Sequence, residues 1–182
     1  ASDHSMKARD FIRQNYTVEH IATSFDDVDE RQLMGADFYV AGPPCQPFST
    51  NGKRGYNNDK RAKFYHAAVQ RVITTQPKTA IIENSANLKH ADKGRIHENT
   101  MGKLRDNGYN VYDSVLNTAD HGIPQWRERL WIVAIHNDQA GANDYKWPDA
   151  ILPCTLATML TPKEKDDIND ARLPGSTAAS KL

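Results

Sequence analysis

Two short apolar runs, the second ending in two polar residues, constrain the fold of this chain more than any other feature. The first is Ala36-Asp37-Phe38-Tyr39-Val40-Ala41-Gly42, and the second is Thr79-Ala80-Ile81-Ile82-Glu83-Asn84. Near-continuous runs of this type are strands covered on both faces, as in parallel sheets. Residues 60–75 between them predict a helix, with Phe64, Ala68, Val69 and Val72 on one face and Lys63, His66 and Gln70 on another. Strand, helix, strand in that order calls for a crossover, and hence a parallel pair. The alternation continues. Residues 94–107 predict a helix closed by Gly108. Residues 109–119 and 129–135 predict two further strands, separated by a turn at His121-Gly122-Ile123-Pro124. Upstream, residues 5–16 predict an amphipathic helix capped by Ser5, residues 18–23 a short strand, and residues 26–33 a helical turn or two. The pattern is that of an α/β protein with a parallel, doubly wound sheet.

Composition narrows the function classes. The 182 residues suffice for one domain, but the apolar share of 38% sits under the ~45–50% of a compact domain. Either the domain is very polar or part of its core is missing. The 23 basic and 23 acidic side chains cancel, which excludes a protein that coats nucleic acid with its whole surface. A local stripe survives this balance: residues 51–75 carry Lys53, Arg54, Lys60, Arg61, Lys63 and Arg71 against Asp59 alone, a set suited to phosphate. The two cysteines, Cys45 and Cys154, form no disulfide framework, and the absence of a CxxC or Cys/His cluster predicts no metal. No apolar run is long enough to span a membrane and residues 1–10 are no signal peptide, so the chain reads as soluble and intracellular. The terminal Ser180-Lys181-Leu182 matches a peroxisomal address, read here as fortuitous. There is no initiator Met, and both ends look cut. From Asn137 the pattern decays, and residues 162–182 read as a polar linker with Glu164, Asp166, Asp167 and Asp170.

In an open α/β sheet, ligands collect beyond the carboxyl ends of the strands. Past the first run comes Gly42-Pro43-Pro44-Cys45-Gln46-Pro47-Phe48-Ser49, and the second ends in Glu83-Asn84. A cysteine and a carboxylate at neighbouring strand ends face one crevice, an arrangement suited to a thiolate nucleophile with a carboxyl partner. Pro43 and Pro44 fix φ and aim the thiol at little entropic cost. A free thiol is mostly protonated at neutral pH, so it needs positive charge nearby. Gln125-Trp126-Arg127-Glu128-Arg129 can supply it: in an extended segment Gln125, Arg127 and Arg129 share a face.

Pro-Pro-Cys-Gln-Pro-Phe-Ser after one buried strand, Glu-Asn-Ser after the next, and Gln-Trp-Arg-Glu-Arg-Leu-Trp-Ile-Val-Ala-Ile further on resemble three motifs of the DNA (cytosine-5) methyltransferases, in that family's order. The resemblance covers about residues 3–160. It implies a Rossmann-like S-adenosylmethionine-dependent methyltransferase core with a mostly parallel sheet, incomplete at both ends. Residues 1–137 would be a partial catalytic domain and residues 138–182 the start of a target-recognition region with a polar tail. It also implies a mechanism: Cys45 attacks C6 of a cytosine flipped out of duplex DNA, Glu83 holds N3, Arg129 binds the base carbonyl, and Arg127 steadies the catalytic loop or a phosphate. C5 then takes a methyl group from S-adenosylmethionine. Asp3 falls at the place of the acid for the cofactor ribose, His4 near the adenine, and Ser24 where an Asp contacts the adenine amine, with Asp26 two residues on. Ser49, Lys53, Arg54, Lys60 and Arg61 would meet DNA, while Pro43, Pro44, Gln46, Asn84 and Gln125 support the site. Such a protein works with DNA, in a nucleus or a prokaryotic cytoplasm.

Besides Ser24, the chain departs from the family pattern at three places. The glycine-rich cofactor turn and the final motifs do not occur, and Ser85 stands where Val is usual. The expectation is a central fragment, working alone or with a complementary polypeptide that supplies the missing motifs. Two other readings stay open: an RNA cytosine-5 methyltransferase of the same fold, and a non-catalytic nucleic-acid-binding remnant. Cys154, beside Leu152 and Leu156, reads as a small buried hydrophobe. Trp126, Trp131 and Trp147 read as packing residues, and His66, His90 and His121 as solvent-facing or turn residues.

Overall fold

The computed structural model describes residues 1–48, 59–152 and 154–160. Ser49, Lys53 and Arg54, and the acidic tail, lie outside the described residues. Among them the chain forms two compact units. The first comprises Ala1–Leu116 and Glu128–Trp147, and the second comprises Asn117–Arg127 with the described residues of Pro148–Leu182.

Four strands, β1 (Phe38–Ala41), β2 (Thr79–Ser85), β3 (Tyr109–Asn117) and β4 (Glu128–His136), form one sheet in the order β1-β2-β4-β3. The βαβ crossover predicted from sequence is present: β1 and β2 are parallel, with Phe38 opposite Thr79 and Ala41 opposite Ile82, and α2 (Ala62–Thr75) lies between them in the chain. The sheet is mixed. β4 runs antiparallel to β2, with Glu83 opposite Trp131 and Ser85 opposite Arg129. Main-chain hydrogen bonds from Thr118 to Arg127 and from Asn137 to Gly108 pair β3 with β4 in opposite directions too. The short link between these two strands is a hairpin-scale connection, which can only reverse direction.

The helices follow their sequence signals. α1 (Met6–Asn15) starts at Ser5, whose side chain accepts from the Ala8 N–H. α2 ends at Gln76, in the left-handed region at φ 48°, immediately before Pro77. α3 (Arg95–Asp106) is followed by Gly108 at φ +90°, where a Cβ would come within 3.4 Å of His136 Nε2. Residues 26–33 form two 3₁₀ turns. Residues 18–23 do not form the predicted strand: they supply only one parallel bridge, Ser2 with Ala22, because no further strand lies alongside.

One face of the sheet is closed. Tyr65, Val69 and Val72 of α2, and Ile96, Met101 and Leu104 of α3, share one core with Ala80 and Ile82 of β2 and Leu130, Ile132 and Ala134 of β4. Tyr65 completes it with a hydrogen bond from its hydroxyl to Thr100 Oγ1 (3.1 Å), and burial pushes its phenol up to about 12. The other face departs from the expectation of a doubly covered β1: Phe38 and Val40 are 68% and 69% exposed. Strand residues alternate sides, so burial of Tyr39 and Ala41 leaves their neighbours outward. Arg71 also departs from its predicted place in the phosphate-binding stripe. It is buried, stacked 3.7 Å over the Phe25 ring, and paired with Glu30 (3.4 Å).

Two predictions follow from this packing. Leu104→Ala should cost about 2–5 kcal/mol of stability in urea unfolding, while Phe38→Thr should stay within about 0.5 kcal/mol. The second concerns His97, buried with Nε2 3.3 Å from Asp113 Oδ2, while Lys89 Nζ takes the same oxygen at 2.8 Å. Burial holds this imidazole below the ordinary histidine value of 6.5, against Asp113 and with Lys89 adding to it. The unfolded chain therefore binds this proton first, and stability should fall as pH drops below 6.5. His97→Gln should flatten that part of the stability–pH curve.

Candidate active site

The carboxyl ends of β1 and β2 lie side by side, because the parallel register that sets Ala41 opposite Ile82 carries Gly42 on to Glu83. A Cβ placed on Gly42 would be 3.7 Å from Glu83 Oε2, so the carboxylate lies against the start of the loop that bears Cys45. Asn84 fastens the two together: its Nδ2 donates to the Pro43 carbonyl (3.2 Å) and its Oδ1 accepts from the Ser85 N–H (2.9 Å), with the residue 1% exposed. Beyond Pro44 the loop closes as a turn, the Phe48 N–H donating to the Cys45 carbonyl (2.9 Å). Pro47 and Phe48 are buried, and the Phe48 ring meets Tyr65 edge-on at 5.5 Å. Cys45 is thus held between a clamp on β2 and an aromatic plug in the core. It remains half-buried, while Gln46 faces solvent.

Arg129 completes the group from β4. Being opposite Ser85, it lies diagonally across from Glu83 on the same sheet face. Its Nε is 2.8 Å from Glu83 Oε1, and both side chains are about three-quarters buried at 23% and 24% exposure. A second guanidinium nitrogen donates to the Glu128 carbonyl (2.7 Å). A carboxylate held this way presents its remaining lone pairs in a fixed direction.

The arginines of the segment before β4 are held by different partners. Arg129 is committed to Glu83, and Arg127 precedes β4 in the second unit, its N–H bonded to Asn117 Oδ1 (3.0 Å). Gln125, in the same turn, is exposed. Arg61 stands at the start of α2. Asp59 first, and Cys45 in addition, hold it more firmly protonated than usual. Arg61 and Asp59 form a two-point ion pair (Nε–Oδ1 3.0 Å, Nη2–Oδ2 2.7 Å), which pulls the Asp59 carboxyl down to about 2. The Asp-x-Arg spacing just before a helix was the sequence signal for this pair. Lys60 is exposed nearby.

The predicted cofactor residues fall at one place in the first unit. The Ser2–Ala22 bridge, with Asp3 N–H donating to the Ala22 carbonyl (3.3 Å), brings Asp3 beside the segment leading to Ser24. Asp3 Oδ1 accepts from the Ser5 N–H (2.7 Å), His4 is almost fully exposed, and Ser24 Oγ accepts from the Asp26 N–H (3.2 Å). Asp26 is paired outward with Lys63 (3.5 Å).

In the second unit, Cys154 is half-buried rather than fully buried, and Trp126 is 75% exposed rather than packed. Among the described residues no group of three or more His, Cys, Asp or Glu could hold a metal ion, and no helix is long and apolar enough to cross a membrane.

The clamp is directly testable. Asn84→Ala should cost about 1–3 kcal/mol, the range for stranding a buried polar partner, as measured in urea. In a Cys154→Ser background, the same change should speed alkylation of Cys45 by iodoacetamide.

The family model for the C-5 cytosine-specific DNA methylase matches residues 1–174. Among curated proteins, the Type II methyltransferase M.NgoBI of Neisseria gonorrhoeae is 36% identical over 131 residues, 70% of this chain and 41% of that protein. M.NlaX of Neisseria lactamica is 32% identical over 161 residues, 86% of this chain and 50% of that protein. The chain therefore spans half or less of the length of these relatives. The structure of the Entamoeba histolytica methyltransferase EhMeth has a TM-score of 0.62 at 21% identity, covering 85% of this chain and 47% of that one. That likeness concerns the fold, which is a Rossmann-like methyltransferase core. Fold and family match agree over nearly the whole sequence, and the chain belongs to the C-5 cytosine-specific DNA methylases.

Proposed function

We propose that this chain carries the catalytic centre of an enzyme that methylates C5 of cytosine in DNA through a covalent adduct with Cys45. The observation that supports this most is the meeting of the Cys45 loop with the Glu83–Arg129 pair at the ends of β1, β2 and β4. C6 of cytosine is unreachable in a stacked duplex, so the base must be flipped out first. The Cys45 thiolate then forms a bond to C6, and the displaced electron pair moves into the ring toward C5 and N3. Glu83 hydrogen-bonds N3 and favours its protonation, which stabilises charge where it develops. Arg129 fixes that carboxylate and reaches the base carbonyl. The Arg61 guanidinium and Lys60 offer charge to the DNA backbone, as do Lys53 and Arg54, and Ser49 offers a hydroxyl. Arg127 steadies the loop or a phosphate.

Asp3, His4 and Ser24 would hold the adenosine end of S-adenosylmethionine, which when bound supplies an electrophilic methyl group for C5. The C5 proton then leaves to solvent. The C5–H bonding pair re-forms the C5=C6 double bond, the C6–S pair leaves with Cys45 as thiolate, and N3 gives back its proton. The names of the relatives, all Type II methyltransferases, and the DNA methylase family favour DNA over RNA as substrate.

The test is trapping. Duplexes carrying 5-fluorocytosine in mixed contexts, incubated with the chain and S-adenosylmethionine, should give an adduct that survives a denaturing gel. Cys45→Ser should abolish it. Glu83→Gln should slow its formation by roughly 10²–10⁴-fold, the usual contribution of a proton-handling side chain. A wild-type chain that binds DNA yet forms no adduct would favour the non-catalytic remnant.

A further inference from the structure

Trp126 is 75% exposed, the most exposed of the three indoles: Trp131 is half-buried, and half-buried Trp147 stacks edge-on against Tyr145 at 5.2 Å. Its exposure is not that of a loose loop, because the main chain on both sides is tied down within the second unit. Gln125 N–H donates to the Ile123 carbonyl (2.7 Å), and Gln125's own carbonyl accepts from Thr118 Oγ1. Arg127 N–H donates to Asn117 Oδ1 (3.0 Å), and its carbonyl accepts from Thr118 N–H (3.2 Å). Asn117, at 6% exposure, is itself fixed. Five consecutive residues are thus held so that a large flat apolar ring points into water.

A rigidly presented indole has lost little entropy still to be paid on binding. Between Asp120 and Glu128 the only formally charged side chain is the Arg127 guanidinium, and the indole's neighbours Gln125 and Arg127 are both exposed. Ile123 in the same turn is 47% exposed and Ile151 58%, so the ring stands among apolar side chains with a single cation beside it. The pattern of one flat ring with a cation and an amide beside it fits a ligand that is flat, aromatic and anionic, which is what a nucleic-acid strand offers. We propose that Trp126 is a nucleobase-stacking residue of the DNA interface. This inference rests on the methyltransferase reading above.

The experiment uses the full chain, a labelled cytosine-containing DNA duplex of mixed sequence, and the variants Trp126→Ala and Trp126→Phe. Binding is read by anisotropy across a salt series, and stacking by quenching of intrinsic tryptophan emission. Trp126→Ala should bind roughly tenfold more weakly, at the low end of what aromatic stacking contributes per base. Trp126→Phe should recover most of that loss. Neither variant removes a charge, so the slope of log affinity against log salt should be the same for all three proteins. Quenching seen with the wild type should vanish in Trp126→Phe, although that protein still binds, which a merely structural role would not produce. Unchanged affinity in Trp126→Ala, or quenching that persists in Trp126→Phe, overturns the inference while leaving the methyltransferase reading intact. A concentration-dependent blue shift without DNA would assign the indole to contact between copies of the chain, and also overturns it. A wild type that binds no duplex at all overturns both.

Discussion

The hydrogen bond from Asn84 to the Pro43 carbonyl is small in energy, but the geometry of the site depends on it. It joins the end of β2, beside Glu83, to the loop that leaves β1 and bears Cys45. Below it the parallel register fixes the strand ends. Above it two prolines and a buried aromatic leave the Cys45 loop few ways to move. Because Asn84 is almost fully buried, its amide cannot trade this partner for water. The position of a thiol is therefore set by a side chain on another strand.

Around this clamp the charges are arranged in pairs. Glu83 is answered by Arg129, Asp59 by Arg61, and Asp113 by Lys89. A half-buried carboxylate without such a partner would be costly, and a partner with fixed geometry also sets the direction of the carboxylate's free lone pairs. The Glu83–Arg129 pair is held in this way. The same preorganisation recurs in the second unit, where Asn117 and Thr118 hold the main chain on both sides of Trp126.

Much of the fold was legible because local signals agreed with tertiary packing. The Ser5 cap, the apolar face of α2, the positive-φ glycine after α3 and the β-branched run of β2 each formed the predicted element. Legibility failed where a residue's fate depended on what lay beside it. Residues 18–23 have strand composition, yet without a neighbouring strand they make a single bridge. Phe38 and Val40 are as apolar as any core pair, but they sit on a face that no described helix covers. That open face accords with the modest apolar share of the composition. Arg71 belonged to a basic run in the sequence and is spent on Phe25 and Glu30 inside the fold.

The sequence by itself determined the chemistry available: a thiol between prolines, a carboxylate at the next strand end, arginines further on, and an order of motifs that points to one family. These are local properties of composition and spacing, which a linear chain states outright. Only the tertiary structure decided the partners. It gave Arg129 to Glu83 and Arg61 to Asp59, made the sheet mixed, and left Trp126 in water. The reason is physical: ion pairing, stacking and burial depend on distances between residues tens of positions apart, and those distances exist only once β2 has paired with both β1 and β4.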